Sequence, residues 1–198
     1  MSQPRNIVFA TNNAHKLEEI RRIMGDKWKV MSLNEIGCHD DIPETADTLR
    51  GNAEIKARYV KEHYGYDCFA DDTGLMVDAL GGAPGVYSAR YAGDGHDSAA
   101  NMALLLHNMQ GVTDRRDRRA HFSTVIALVT GSDIRFFEGS VYGVITEEPD
   151  GAGGFGYDPV FLPDEDTVTF ASMPPDRKNA ISHRGRATAK LIDYLTSI

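Results

Sequence analysis

The sequence predicts an α/β domain, and three observations carry the prediction. Arg5 to Ala10 is a short apolar run that passes through a polar turn, Thr11 to Lys16, into a helical pattern. Cys68-Phe-Ala-Asp71-Asp72 reads as a buried strand ending in two carboxylates, and ligands of open α/β sheets bind at such strand ends. His121 to Thr130 and Ile134 to Ile145 alternate and are rich in β-branched residues, with Gly131-Ser-Asp133 between them, as in an antiparallel hairpin. A length of 198 residues suits one domain, 1–198, with room for two lobes, and a hydrophobic fraction of 41% suffices for a sizeable core.

In chain order, Leu17, Ile20, Ile23 and Met24 share one face of the first helix, and Gly25 stops it. Strand, polar turn and helix N-terminus together favour an anion, because free N–H groups and the helix dipole point there and Lys16 adds a full charge. An Asn N-cap on a surface helix is the plainer reading. Trp28 to Leu33 is a second strand. Asn34 to Asp47 is a loop with Asp40, Asp41, Glu44 and Asp47 around Pro43. It is either simply solvated, or it lends one carboxylate to Asp71 and Asp72 for a hard cation such as Mg²⁺. Thr48 to Tyr64 is a second helix ended by Gly65, with Leu49, Ala53, Ala57, Val60 and Tyr64 as its apolar stripe. Asn52 and Lys56 stand one turn apart beside that stripe, and Lys56 either snorkels or reaches a phosphate.

After the acidic strand, which doubles as an Asp-rich turn in the plainer reading, Val77 to Gly93 is an ordered glycine-rich loop long enough to suspect function. Asp97 caps a helix reaching Met109, with Met102, Leu105, Leu106 and Met109 inward. Asp114 to Arg119 carries four arginines and two aspartates and reads as a solvated connection. Gly151 to Leu162 is a glycine-rich turn leading into a strand, which sets it apart from a dinucleotide fingerprint. Asp176 to Gly185 gathers Arg177, Lys178, His183 and Arg184, and a final helix runs from about Arg186 to Thr196 with Ala187, Leu191 and Leu195 inward.

A net charge of -8 argues against a nucleic-acid backbone as partner while leaving room for a local cationic pocket. Two cysteines are too few for a secreted disulfide framework. The absence of a signal-like segment or a membrane-length apolar run gives the expectation of a soluble cytoplasmic protein with no membrane partner.

Collected, the acidic residues Glu44, Asp71 and Asp72 and the cationic residues Lys16, Lys56, Lys178, His183 and Arg184 suit a polyphosphate with a divalent metal. Phe155 and Tyr157 are rings that could stack on a base. The chemistry so far is that of a metal-dependent enzyme on a phosphorylated ligand, with neither the base nor the bond defined. A nucleotide-binding module without activity, or a phosphatase of another α/β class, would share much of it. The acidic pair speaks against the first, and the absence of an Asp-x-Asp nucleophile pattern from the Asp71-Asp72-Thr73 stretch against the second.

Five separated motifs stand in one order: Thr11-Asn-x-x-x-Lys16, Ala70-Asp-Asp-Thr-Gly-Leu75, Gly81-Gly-x-Pro-Gly-Val-Tyr-Ser-Ala-Arg-Tyr91, Gly153-Gly-Phe-Gly-Tyr-Asp-Pro159 and Ser182-His-Arg-Gly185. With them the chain resembles the inosine triphosphate pyrophosphatase family, the Ham1/RdgB-like proteins, over nearly its whole length, and its bacterial dITP/XTP branch in particular. The resemblance implies an elongated mixed sheet with flanking helices forming two lobes around a cleft, and a homodimer. It implies Mg²⁺-dependent hydrolysis of ITP, dITP and XTP, purine nucleoside triphosphates, to the monophosphate and pyrophosphate. Asp72 matches the family's proton acceptor and metal ligand, and Glu44 its other metal carboxylate. Thr11, Asn12, Asn13, Ala14, His15 and Lys16 match the first phosphate-binding turn, with Lys56 as a further phosphate contact and Thr73 where the family usually has Ser. Phe155, Gly156, Tyr157 and Asp158, with Lys178, His183 and Arg184, match the nucleoside-binding set. Asn12 stands where many members have Gly, and Asn is the next most tolerant side chain should that turn need positive φ.

Overall fold

A computed structural model describes residues 5–197. The elements are β1 (Arg5–Phe9), α1 (Ala14–Met24), β2 (Trp28–Met31), α2 (Leu49–Tyr64), β3 (Cys68–Val77), β4 (Pro84–Gly85), α3 (Ser98–Asn108), β5 (Arg119–Thr130), β6 (Asp133–Ile145), β7 (Phe161–Pro163), α4 (Pro175–Ile181) and α5 (His183–Ser197). The strands order β2-β1-β3-β5-β6-β7 in one sheet, with β4 against β3 off that path. β1 runs parallel to both neighbours, with Val8 opposite Met31 on β2 and Cys68 on β3, while β3–β4 and β6–β7 are antiparallel. The sheet is therefore mixed, with helices flanking it.

The described residues form two compact units. The first holds residues up to Asp72, Thr124–Gly139 and those from Arg184 onward. Strand periodicity divides its apolar residues between two cores. Ile7 and Phe9 join Phe69, Ile126 and Leu128 on one face, against Ile20 and Met24 of α1 and Ala187, Leu191 and Leu195 of α5. Val8 and Ala10 join Cys68, Ala70, Ala127 and Val129 on the other, against Ala53, Ala57 and Val60 of α2. Covering on both faces explains why these strands read as apolar runs and not as alternations. The helices start on Asn13 and Thr48, whose side chains accept from Lys16 N and Gly51 N.

The second unit holds Thr73–Ser123 and Ser140–His183. Leu75, Val77, Phe122, Val141, Ile145 and Phe161 pack there with Leu105 and Met109 and with Phe170. The Phe122 and Phe161 rings meet edge-on at 4.8 Å.

The structure corrects two sequence expectations, at β3 and Arg118, and adds two points, at 175–181 and Asn12. β3 does not end at Asp71-Asp72 but continues to Val77, because Leu75 and Met76 find partners in Gly85 and Pro84 of β4. Residues Pro175–Ile181 form a short helix that was not expected. Arg118 is no solvated residue: it is buried and donates to the carbonyls of Val112, Ile145 and Thr146 at 2.6, 2.6 and 2.8 Å. Asn12 keeps ordinary backbone, since among the described residues His96 is the non-glycine at positive φ.

Candidate active site

β1 ends at Phe9, opposite Phe69. Asp71 and Asp72 therefore lie on β3 just past the carboxyl end of its parallel neighbour, where open sheets bind ligands. Adjacent residues of a strand point to opposite faces, so the two carboxylates meet different helices.

Asp71 is buried against cations from two helices. Lys16 Nζ of α1 donates to Oδ1 at 3.0 Å and Arg184 Nε of α5 to Oδ2 at 3.1 Å. Arg184 Nη1 donates in turn to Glu19 Oε2 at 2.6 Å, and Glu19 stands one turn along α1 from Lys16. Asp72 faces α2. Asn52 Nδ2 donates to its Oδ2 at 3.2 Å, and Lys56 Nζ, one turn further, lies 3.8 Å from Oδ1. The same ammonium donates to Glu44 Oε1 at 2.5 Å, so Glu44 and Asp72 converge on one cation.

The environments push the two aspartates apart. Burial would raise Asp71, but Lys16, Arg184 and Lys56 outweigh it and hold the carboxyl well below the usual range. Burial raises Asp72, Lys56 and Lys16 oppose it, and Glu44 adds repulsion, leaving it above its ordinary value. Burial pulls Lys56 down, yet Asp72, Glu44 and Asp71 together raise it, so it stays charged. Burial lowers Lys16 despite Asp71 beside it. A carboxylate fixed in its charge beside one readier to take a proton is an arrangement suited to acid–base work.

The turn before α1 is open. Asn12, Asn13, Ala14 and His15 are exposed, Thr11 Oγ1 accepts from Asn13 N at 3.1 Å, and Asn13 Oδ1 accepts from Lys16 N at 3.1 Å.

The remaining expected residues belong to the second unit. Lys178 Nζ donates to Asp158 Oδ2 at 2.7 Å, both side chains buried, and Phe155 N donates to the same oxygen at 2.8 Å. The ammonium also lies over the Phe155 ring, 5.0 Å from its centroid. Gly154, at φ 69°, is required here, because a Cβ would run into the Asp158 carboxylate. Tyr157 is buried with its hydroxyl donating to Ser88 O at 2.8 Å, whereas Phe155 is half-buried. His183 stacks on Phe122 at 4.5 Å. Thr73, half-buried, follows Asp72 directly on β3, and Gly156 sits at φ 64° in the turn before Tyr157.

A metal would find hard oxygen donors in Glu44 and Asp72, with neither sulfur nor imidazole between them, which fits Mg²⁺. Among the described residues no three His, Cys, Asp or Glu side chains form a self-sufficient cage. The two carboxylates fit an ion that completes its shell with water and phosphate oxygens.

Sequence reasoning passed over Glu19, and it noted Asn52 and Asp71 without giving either its partner. Asn52 carried a signal, since Asn is a poor interior helix residue and stood a turn from Lys56.

Fold and site together define an α/β enzyme of phosphate-bearing ligands. The chain belongs to the Ham1 family, whose sequence pattern matches residues 7–194. It is 54% identical to a dITP/XTP pyrophosphatase of Porphyromonas gingivalis, covering 96% of each chain. It is 50% identical to one of Flavobacterium johnsoniae, covering 96% of this chain and 98% of that one. Among solved structures, a HAM1 protein from Coxiella burnetii superposes with a TM-score of 0.88 at 39% identity, covering 98% of this chain and 100% of that one.

Proposed function

We propose that this chain hydrolyses non-standard purine nucleoside triphosphates, ITP, dITP and XTP, to the monophosphate and pyrophosphate. Water adds across the α–β phosphoanhydride: its oxygen bonds to phosphorus, the bridging bond breaks, and pyrophosphate leaves. Asp72 accepts the water proton. The observation that carries the reading is Asp72 itself, buried past the end of β1 between Asn52 and Lys56. Relatives of the same length named dITP/XTP pyrophosphatase support the substrate class.

Lys16 and Lys56 neutralise phosphate charge, with the exposed turn Thr11 to His15 beside Lys16. Glu44 and Asp72 would hold Mg²⁺, which when bound supplies charge neutralisation at the phosphate oxygens. The base is the task of Phe155 to Asp158, Lys178, His183 and Arg184, with Thr73 as a hydroxyl contact. A fixed donor toward the 6-oxo group of hypoxanthine or xanthine meets another donor in adenine, which selects against ATP. The expected assembly is a homodimer, and the expected compartment is the cytoplasm. No described helix is long and apolar enough to cross a membrane.

The test is a panel of nucleoside triphosphates with and without Mg²⁺, with the phosphate product identified. Pyrophosphate from ITP, dITP and XTP with little from ATP is expected. Orthophosphate as the product would overturn the reaction.

A further inference from the structure

We infer that Asn52 is a positioning residue for the reaction: its side-chain amide fixes the Asp72 carboxylate and the Glu44 segment in one arrangement. The inference rests on the reading of Asp72 as proton acceptor. Asn52 is fully buried in the second turn of α2, where Asn is a poor helix former and an unsatisfied amide would be costly. Both ends of the amide are engaged. Ala46 N can only donate, and it meets Oδ1 at 2.9 Å. That contact settles which end is the amino group, so Nδ2 faces Asp72 and donates to Oδ2 at 3.2 Å. With Oδ2 so held, Oδ1 is the oxygen turned toward Lys56, 3.8 Å away.

The other end of the amide governs Glu44. Ala46 lies two residues beyond it in a segment without helix or strand, so pinning the Ala46 amide limits where the Glu44 carboxylate can go. Gly51 permits the approach, because a Cβ there would come 2.5 Å from Ala46 Cβ. One side chain thus ties two carboxylates from distant stretches to a common helix. Asn52 itself need touch neither water nor phosphate.

The test compares Asn52→Ala, Asn52→Asp and, in parallel, Asp72→Asn. Asn52→Asp keeps shape and the acceptor for Ala46 N but loses the donor toward Asp72. Readouts are kcat and KM for ITP with Mg²⁺, Mn²⁺ binding to the resting protein by electron paramagnetic resonance, and melting temperature. Both Asn52 variants are expected to lower kcat about 10–100-fold, as removal of an orienting partner does, with KM nearly constant. Asn52→Ala is expected to weaken Mn²⁺ binding in the same range. A folded Asn52 variant with parental kcat and Mn²⁺ affinity, beside an inactive Asp72→Asn, overturns this inference alone. Parental turnover by Asp72→Asn instead overturns the reading of Asp72. If both Asn52 variants melt below the assay temperature, Asn52 serves folding only and the inference falls.

Discussion

Arg184, proposed above to read the base, is also tied into the fold by a buried ion-pair network. Its guanidinium is 2% exposed, and it donates to Asp71 and Glu19. Arg184→Ala leaves two carboxylates without that partner, and breaking a buried pair in this way costs about 3–5 kcal/mol. A urea midpoint well below the parent's is therefore expected. Where the variant still folds, the ratio of kcat/KM for ITP over ATP measures base reading. A fall in that ratio assigns Arg184 to the base, and an equal loss on both substrates assigns it to the ion-pair network. Asp72→Asn removes the proposed proton acceptor while keeping its shape, and a loss of at least about 100-fold in kcat is expected with the fold intact. The sequence alone expects Lys56→Met to weaken triphosphate binding with little effect on stability. The structure changes the second half, because Glu44 and Asp72 would then face each other without their shared ammonium. KM for ITP should rise by a factor equivalent to roughly 1.5–3 kcal/mol, and the melting temperature should fall as well.

β3 carries both the acidic pair and an inert thiol. Cys68 is fully buried and donates to Ala57 O at 3.0 Å, and burial pushes its thiol up to about 12. The folded chain therefore holds Cys68 protonated at pH values where the unfolded chain releases the proton. This contribution is complete below pH 9 and is lost between pH 9 and about 12, at up to about 1.4 kcal/mol per unit. Urea titrations at pH 8 and pH 10 should show a steeper alkaline loss for the parent than for Cys68→Ala, and equal losses would exclude the thiol as the cause. Thiol-directed reagents should label Cys38 and Cys68, both buried, only on unfolding. Much of the element map was legible because periodicity and capping are local: Asn13, Thr48 and Asp97 open helices, and Gly25 and Gly65 close them. The second half of β3 was not legible, since Asp-Asp-Thr-Gly has the chemistry of a turn and is held extended by tertiary partners. The burial of Arg118 depends on carbonyls up to 28 residues away, so its own charge-rich segment held no clue.

For the whole molecule, the candidate site was legible by residue type and not by pairing. Lysines, carboxylates and glycines announced phosphate chemistry, but Lys16 finds Asp71 across 55 positions and Arg184 finds it across 113. Only the fold brings such partners together. A non-hydrolysable ITP analogue with Mg²⁺, binding the native state alone, should raise the melting temperature, with stabilisation of about 2.7 kcal/mol at a concentration of 100 Kd. ATP analogues should do so far less, and equal shifts would count against base selection. Each unit is built from separate stretches of sequence: the chain leaves the first after Asp72, returns at Thr124, leaves after Gly139 and returns at Arg184. During synthesis, Phe9 and Phe69 are made early, yet α5, which covers their face of the sheet, emerges more than a hundred residues later. Ile20 and Met24 of α1 can shelter part of that face early, but the part that Ala187, Leu191 and Leu195 cover stays exposed, or shielded by a chaperone, until residues 183–197 clear the ribosome.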